Sequence, residues 1–544
     1  MAASADKVAP EMTSWLHPNK PEPAWSLSAI APIPGRSLLA HVQDLLPPSG
    51  RGPLPDGGEP LPDEPPGDPS KVRFGGGSLD GIMSVRGGRS QGNQSLAAAS
   101  AVISLMRRTP PSTKEVHVAA NAIAAFEGPH AMDRFLEAIR TCGSFSRTRV
   151  ADIGRWLCKH GVTRQQAKAG LGLLGISGRP DDAALIVRLG LLEELTLYSV
   201  VALKNLLPDA DPALCDLAQQ VSGWGRIQCI YRLKDSALPE VRYWLLHGGY
   251  RNGVMTEEVA YIAATAGELR AALDTEPDDE ILDHAGALLE ALANGGPAED
   301  MTSYSDGKAA LAAYLTRMAT AAASLERAGH LNTLDRYLHG WAGDNPLLSA
   351  AALQQLRSQI EQVLAEPRWQ GPVQAGLASD DLREVRKGLA IARRFGIDPI
   401  PVARAWITRE PHDGYLWQAL VNAASRDEMA TLIQLAETLL PFTALPAGPA
   451  RDLGIGVGFK ANHCFDLILQ RLKEFPGLGW SAVSIGLDAR VTRTRHLALR
   501  VFAEWPRHTW PKGAVETIQA MAWRDPDNGV KKRARTVLGG KTLD

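Results

Sequence analysis

Apolar residues recur along most of the chain at the spacing of a helix that buries one face. In the stretches 382–392 and 530–538, apolar residues fall mostly three or four positions apart. Residues at this spacing lie on one side of an α-helix, in a stripe that packs against a neighbour. Further stripes are formed by Leu238, Val241 and Leu245, and by Leu487, Val491, Thr494, Ala498 and Phe502. Alternation of apolar and polar residues is scarce, so the pattern predicts an all-α fold.

Polar breaks separate these helical stretches. The segments 179–182, 379–381 and 525–528 place Asp residues where a helix is expected to begin. An Asp side chain there accepts hydrogen bonds from the free amides of the first turn, and its charge suits the positive end of the helix. The sequence therefore predicts many helices joined by short connections.

In four of the predicted helices, a basic residue follows one stripe position and acidic residues precede it. The basic residues are Arg242, Arg386, Arg495 and Lys531. This pattern resembles the second helix of HEAT repeats. The adjoining stripe positions, residues 241, 385, 494 and 530, are separated by 144, 109 and 36 residues, close to multiples of a helix-pair period of 36. The resemblance implies a right-handed α-solenoid of HEAT-like helix pairs and no particular activity.

Stacking of such pairs has a physical reason. A single pair buries too little apolar surface to offset its own ordering entropy, whereas stacked pairs share one continuous core and form a long concave surface. We expect four parts: a Pro/Gly-rich, largely irregular tail at 1–92, helical arrays at 93–275 and 309–544, and an irregular hinge or atypical repeat at 276–308.

The tail differs from the rest in composition. Of the 37 prolines, 15 lie within the first 70 residues. Proline removes the amide donor and glycine raises the ordering entropy, so the stretch 47–69 is predicted to be flexible or polyproline II. Two less polar islands, 26–46 and 72–85, allow two interpretations: a linker that docks weakly on the helices, or a partner-binding peptide held in cis.

Charge and cysteine content exclude several classes of protein. Lys plus Arg number 58 and Asp plus Glu 60, so the net charge is −2 and a globally polybasic nucleic-acid coat is excluded. Five cysteines in 544 residues are too few for a disulfide-stapled secreted scaffold. No secretory signal and no membrane-spanning apolar segment is evident. We expect a cytoplasmic protein.

Motifs for chemistry are weak. The segment 170–175 matches GxGxxG, but a helical stretch and not a strand precedes it, so close helix packing is favoured over a dinucleotide site. The cysteines have no zinc-ligand spacing, and no nucleophile with its base is recognisable. We therefore expect no catalytic residue, no cofactor and no metal.

Two tracts are candidates for binding. From 490 to 541 there are 12 basic residues against 4 acidic ones, with tryptophans between them. The second tract, 224–255, places aromatic residues beside arginines, which suits either ordinary helix packing or a binding pocket. The candidate partner-binding residues are Arg490, Arg493, Arg495, Trp505, Arg507, Trp510, Lys512, Lys531, Lys532, Arg533 and Arg535 in the first tract, and Trp224, Arg226, Arg242 and Arg251 in the second.

These observations favour a non-enzymatic cytoplasmic scaffold that binds a protein partner on the concave face of a helical repeat array. Two alternatives stay open. One is a helical repeat protein that binds nucleic acid through the basic C-terminal segment. The other is an enzyme with a pocket in the tract 224–255. A polar cap that closes the array is the simplest explanation of the basic segment.

Overall fold

The computed structural model describes residues 25–64, 74–86, 92–108, 111–340, 348–442, 445–541 and 543. Over these residues the chain forms 28 α-helices and no β-strand. Extended pairing within the same residues is confined to two isolated bridges, Ala447–Ala489 and Asp452–Val491. The prediction of an all-α protein is confirmed, whereas the right-handed solenoid and the four-part division stay predictions. Within the described part of the chain, every helix is too short or too polar to cross a membrane.

Most of the α-helices follow one another with short connections, and the connections after α1, α12 and α23 are longer. In chain order they are α1 Leu38–Leu45, α2 Ser78–Arg86, α3 Gly92–Met106, α4 Thr113–Ile123, α5 Pro129–Arg140, α6 Arg147–His160, α7 Arg164–Ser177, α8 Ala183–Gly190, α9 Glu193–Leu206, α10 Asp211–Gln219, α11 Gly223–Leu233, α12 Pro239–Trp244, α13 Ala260–Ala266, α14 Leu269–Asp274, α15 Asp279–Asn294, α16 Gly307–Met318, α17 Leu325–Gly340, α18 Ala350–Leu364, α19 Gln370–Leu377, α20 Leu382–Ile391, α21 Ile400–Ile407, α22 Gly414–Ala423, α23 Arg426–Leu439, α24 Lys460–Leu472, α25 Trp480–Leu487, α26 Thr492–Glu504, α27 Ala514–Arg524 and α28 Asn528–Leu538.

The chain divides into two compact units. Among the described residues, those within 1–64, 75–238 and 252–254 form unit 1, and those within 65–74, 239–251 and 255–544 form unit 2. In unit 1, α7 packs between α6 and α9, and α9 also contacts α8 and α11. In unit 2, α20, α22, α24, α26 and α28 each pack on the next, while α19, α21, α25 and α27 form hairpins with α20, α22, α26 and α28. Unit 2 thus contains a row of helices with a recurring contact pattern.

The GxGxxG match lies inside α7, where its three glycines face three other helices. A Cβ at Gly170 would lie 2.9 Å from the amide nitrogen of Cys158 in α6. At Gly172 it would lie 3.0 Å from the side chain of Leu136 in α5, and at Gly175 3.1 Å from Ala202 in α9. The glycines therefore allow close helix packing, and no strand precedes them in the described chain.

Arginines recur in one structural role in both units. Arg155, Arg242 and Arg495 each form an ion pair with a carboxylate near the start of a later helix, at N–O distances of 2.6, 2.7 and 2.8 Å. The acceptors are Asp182, Glu268 and Asp525, which lie 27, 26 and 30 residues further along the chain. Arg386 pairs in the same way with Asp413, 27 residues on. Three of the four arginines belong to the HEAT-like pattern, so that pattern marks contacts between helices.

Asp residues cap helices at two of the predicted helix starts, whereas one predicted apolar stripe spans two helices. Asp381 and Asp527 cap α20 and α28, where they accept hydrogen bonds from the amides of Arg383 and Val530. The stripe from 487 to 502 is wrong as a single helix, because α25 ends at Leu487 and α26 begins at Thr492. The intervening backbone bonds instead to the loop at 446–452.

The described part of the tail is mostly irregular, and its residues 25–64 pack on the other helices of unit 1. Helix α1 packs on α6 and α8, and the carboxylate of Asp63 pairs with Arg164 at 3.2 Å. Arg51 pairs with Asp216 at 2.5 Å. Of the predicted islands, 26–46 lies wholly within the described residues, whereas 72 and 73 lie outside them.

Candidate functional site

The basic segment 490–541 spans α26, α27 and α28 in unit 2. Helix α28 packs on both α26 and α27 and buries Val530, Ala534 and Val537. Since these three positions lie on one side of the helix, the cations between them point away from the core. The fold therefore separates the basic residues of this segment into buried and exposed groups.

Arg495 belongs to the buried group and has no exposed surface. Its Nε and Nη2 donate to the two carboxylate oxygens of Asp525 at 2.8 and 3.1 Å. Its Nη1 donates to the backbone carbonyls of Ala489 and Arg490, both at 2.8 Å, and Nη2 also donates to that of Ala450 at 2.9 Å. All five N–H donors of the guanidinium are thus used inside the protein. We leave Arg495 out of the candidate surface.

Two of the tryptophans also have structural roles. Trp505 is 3% exposed, and its Nε1 donates to the carbonyl of Leu472 at 2.9 Å. Trp510 is half-buried, donates to the carbonyl of Trp505 at 3.0 Å and packs edge-on against Phe502. The exposed guanidinium of Arg507 lies 4.0 Å above the Trp510 ring. These aromatic residues hold the connection between α26 and α27 in place.

Arg490 and Arg493 are paired with carboxylates from outside the segment. Arg490 Nε lies 3.2 Å from Asp452, and Arg493 Nε lies 2.7 Å from Asp466. Burial raises the pKa of Asp466, although hydrogen bonds from Thr494 and Arg493 act against that rise. The charges of these two arginines are therefore largely balanced within the protein.

Four further cations lie on α28, where Lys532 and Arg535 are exposed and Lys531 and Arg533 are half-buried. We define the C-terminal basic surface as Trp523, Lys531, Lys532, Arg533 and Arg535. Trp523 is 76% exposed at the end of α27. The guanidinium of Arg535 lies 5.3 Å above its ring and donates to the carbonyl of Ala522 at 3.0 Å. Among the described residues, none of the four cations forms an ion pair.

The positive charge of this surface affects a neighbouring histidine. Burial lowers the pKa of His496 on α26, and the charge of Arg533 lowers it further. Within the segment, Asp525 is committed to Arg495 and Asp527 to the cap of α28. The C-terminal basic surface thus combines an exposed indole ring with four cations and is suited to an anionic partner. Lys512, in the connection before α27, is also exposed.

The residues of the second tract are divided between the two units. Trp224 and Arg226 lie on α11 in unit 1, whereas Arg242 and Arg251 belong to unit 2. Arg226 Nε donates to the carbonyls of Ala218 and Val221 at 3.1 and 3.0 Å, and burial lowers its pKa. Arg242 pairs with Glu268, and Arg251 lies 5.8 Å above the ring of Tyr250. Their contacts within each unit are those of helix packing.

Sequence reasoning left Trp523 out of the candidate residues, although a signal was present. The buried positions of α27 are Ala514, Ile518, Met521 and Ala522. They follow helical spacing, and Trp523 falls outside that stripe. A large aromatic residue off the buried stripe is the signal that distinguishes Trp523 from Trp505.

The part of the chain that the structure describes holds no group of three or more His, Cys, Asp or Glu side chains arranged to bind a metal ion. Burial raises the pKa of Cys229 and Cys464 to about 12, so both thiols stay protonated. Neither observation points to a reactive centre. The chain matches no protein-family model, and a search of curated proteins likewise finds no match.

Proposed function

We propose that the protein is a non-enzymatic cytoplasmic interaction scaffold that binds an acidic protein partner through the C-terminal basic surface. The observation that carries this proposal is the exposed Trp523, stacked by Arg535, beside three more cations without ion pairs. We also propose that the row of helices in unit 2 is part of a right-handed HEAT-like solenoid. The recurring helix contacts and arginine–carboxylate pairs support that architecture.

An acidic protein partner fits the chemistry of this surface. Tryptophan and arginine dominate the binding energy of many protein interfaces, because they bury a large area and make directional contacts. Unpaired cations speed the approach of an acidic partner and select against basic ones. Trp523 supplies the apolar area, and the four cations supply the complementary charge.

Nucleic acid is the second candidate partner, supported by the same four cations. A single-stranded nucleic-acid surface generally places several aromatic rings along a basic groove, so that successive bases stack. Trp505 is buried and Trp510 is covered by Arg507 and Phe502, which leaves Trp523 as the exposed tryptophan of the segment. One exposed ring favours a protein partner over a single strand.

Affinity purification of the tagged full chain from its native cells, with protein and nucleic acid both measured, tests the proposal. We expect a stoichiometric acidic protein with the wild type and its loss with Trp523→Ala or with Lys531→Glu/Lys532→Glu. Two variants serve as matched controls. Tyr415→Ala removes a 70% exposed ring whose centre lies 5.5 Å from the guanidinium of Arg386, and Lys308→Glu reverses the charge of an exposed lysine of α16. Both controls are expected to keep the partner.

The results that contradict the proposal are specific. A partner retained by the Trp523→Ala and charge-reversed variants does not use this surface. A bare monomer from native cells contradicts the scaffold itself. If nuclease removes the bound material, and affinity for a single-stranded oligonucleotide falls steeply with salt and on neutralising Lys531, Arg533 and Arg535, the second candidate replaces the first.

A further inference from the structure

Residues 75–84 comprise a turn and most of helix α2, and within unit 1 they pack on α5, α9 and α11. The backbone amide of Gly77 donates to Oε2 of Glu194 at 2.8 Å. A Cβ at Gly77, where φ is +71°, would lie 2.5 Å from the carbonyl oxygen of Glu193, and one at Gly81 would lie 2.9 Å from the ring of Trp224. Only glycine lets the backbone approach this closely.

The side chain of Asp80 enters a buried polar site on the helices. Its carboxylate lies 2.7 Å from Nζ of Lys168 on α7 and accepts a hydrogen bond from the hydroxyl of Tyr198 on α9 at 3.0 Å. Lys168 is 1% exposed. Burial and the charge of Asp80 raise the pKa of Tyr198 well above its ordinary value, so the phenol stays a donor.

The site remains electrically balanced without Asp80. Nζ of Lys168 also lies 2.5 Å from Glu194, and Arg164, 3.9 Å from the same carboxylate, has Asp63 as a second partner at 3.2 Å. Burial acts to lower the pKa of Lys168, but Asp80 and Glu194 raise it above the ordinary value. Departure of Asp80 therefore leaves the ammonium group with a counter-charge.

The helices around this site also pack without help from the segment. Helix α7 contacts α9 directly, and α9 contacts α11. The segment offers little apolar area in return, since Leu79 is 52% exposed and Ile82 and Met83 are only half-buried. Besides this packing, its polar contacts with the helices are one backbone amide and one carboxylate, which are groups that a peptide ligand can supply.

We propose that residues 77–81 are an intramolecular ligand in a groove formed by α7, α9 and α11, and that this groove takes an acidic glycine-containing peptide of a partner protein in exchange. The groove recognises three features of such a peptide: a backbone amide for Glu194, a carboxylate three residues later for Lys168 and Tyr198, and a glycine beneath Trp224. A partner carrying the spacing Gly-x-x-Asp-Gly competes with the tethered segment, whose effective concentration is high. The groove lies in unit 1 and does not depend on the C-terminal basic surface.

Binding of a fluorescent peptide with the sequence of residues 74–84 to the full chain, measured by anisotropy, tests this exchange. We expect weak binding to the wild type, because the tethered segment holds the groove. Asp80→Ala weakens the tethered ligand, so we expect roughly 10-fold to 100-fold tighter peptide binding, the range of a hydrogen bond to a charged group. Adding Lys168→Met to Asp80→Ala is expected to abolish it. The matched control, Asp44→Ala, removes an exposed carboxylate of α1 and leaves binding as in the wild type.

Three results overturn the proposal. The first is an Asp80→Ala chain that keeps its helical circular dichroism and binds the peptide no better than the wild type does. The second is equal peptide binding with and without Lys168→Met. The third is loss of the cooperative helical transition in Asp80→Ala, because the segment is then an integral part of the core. Each is distinguishable from failure of the proposed function, which is measured at α28.

Discussion

Arg495→Met tests whether the most deeply buried cation of the basic segment stabilises unit 2. Methionine keeps much of the apolar stem but supplies none of the five N–H donors. Asp525 then keeps the hydrogen bond from the amide of Asp527 at 2.8 Å. The carbonyls of Ala489, Arg490 and Ala450 lose the donors that the guanidinium gave them. The substitution thus leaves a buried negative charge without its counter-ion.

The magnitude follows from the burial of both partners. Arg495 and Asp525 both have fully buried side chains. Removing one member of a buried ion pair costs about 3–5 kcal/mol, because the remaining charge stays desolvated. At about 1.4 kcal/mol per tenfold change, the opening equilibrium of this region should rise by a factor of roughly 10²–10⁴. Lys532→Met on the exposed side of α28 should change stability by no more than about 0.5 kcal/mol.

Native-state hydrogen exchange of the amides in α26 and α28 measures this opening free energy separately from the rest of the chain. We expect exchange in these helices to accelerate in Arg495→Met and to stay near the wild-type rate in Lys532→Met. The double variant Arg495→Met/Asp525→Leu should recover much of the loss, since it removes both charges. A loss below about 1 kcal/mol in Arg495→Met would refute the reasoning, because it implies that the pair is solvated.

Further predictions concern packing and pH. In α15, a Cβ at Gly286 would lie 2.5 Å from the hydroxyl of Tyr314 and 2.6 Å from the ring of His330, so Gly286→Ala should lower stability by about 1–3 kcal/mol in thermal unfolding. A Cβ at Gly329 in α17 meets nothing within 4 Å, so Gly329→Ala should raise stability by up to about 1 kcal/mol. Equal effects of the two substitutions would contradict this packing. Burial acts to raise the pKa of Asp182, but hydrogen bonds from Arg155 and from the amide of Arg179 lower it more, to below its ordinary value. A carboxyl with a lowered pKa stabilises the folded state fully above its unfolded pKa and loses that contribution as pH falls through the folded value. Unfolding of Asp182→Asn followed from pH 5 to pH 2 should therefore depend less on pH than that of the wild type, and an unchanged slope would count against the pairing.

The fold class was predictable because apolar spacing reports directly on buried helix faces. Val385 and Val530 are buried where their stripes require. Which cations are paired and buried was not predictable, because the carboxylates that pair with them lie far away in the sequence. Arg493 and Arg495 are two residues apart, yet one meets Asp466, 27 residues earlier, and the other Asp525, 30 residues later. Helical residues two apart face different directions, so their environments differ.

The groove of unit 1 was even harder to predict from the sequence. Lys168 follows the polar residues Arg164, Gln165 and Gln166 at the start of α7, and a lysine in such a position is ordinarily solvated. Its partner Asp80 lies 88 residues earlier, in a stretch whose composition predicts an irregular tail. Only the fold brings the two together. The close approach of Gly77 and Gly81 depends in the same way on backbone positions that composition does not reveal.

The three glycines of α7 restrict how this protein can diverge. A methyl group at position 170 displaces α6, one at 172 presses on α5, and one at 175 displaces α9. Because each substitution disturbs a different neighbour, no single compensating change elsewhere relieves all three. Among related proteins we therefore expect these three positions of α7 to tolerate few replacements.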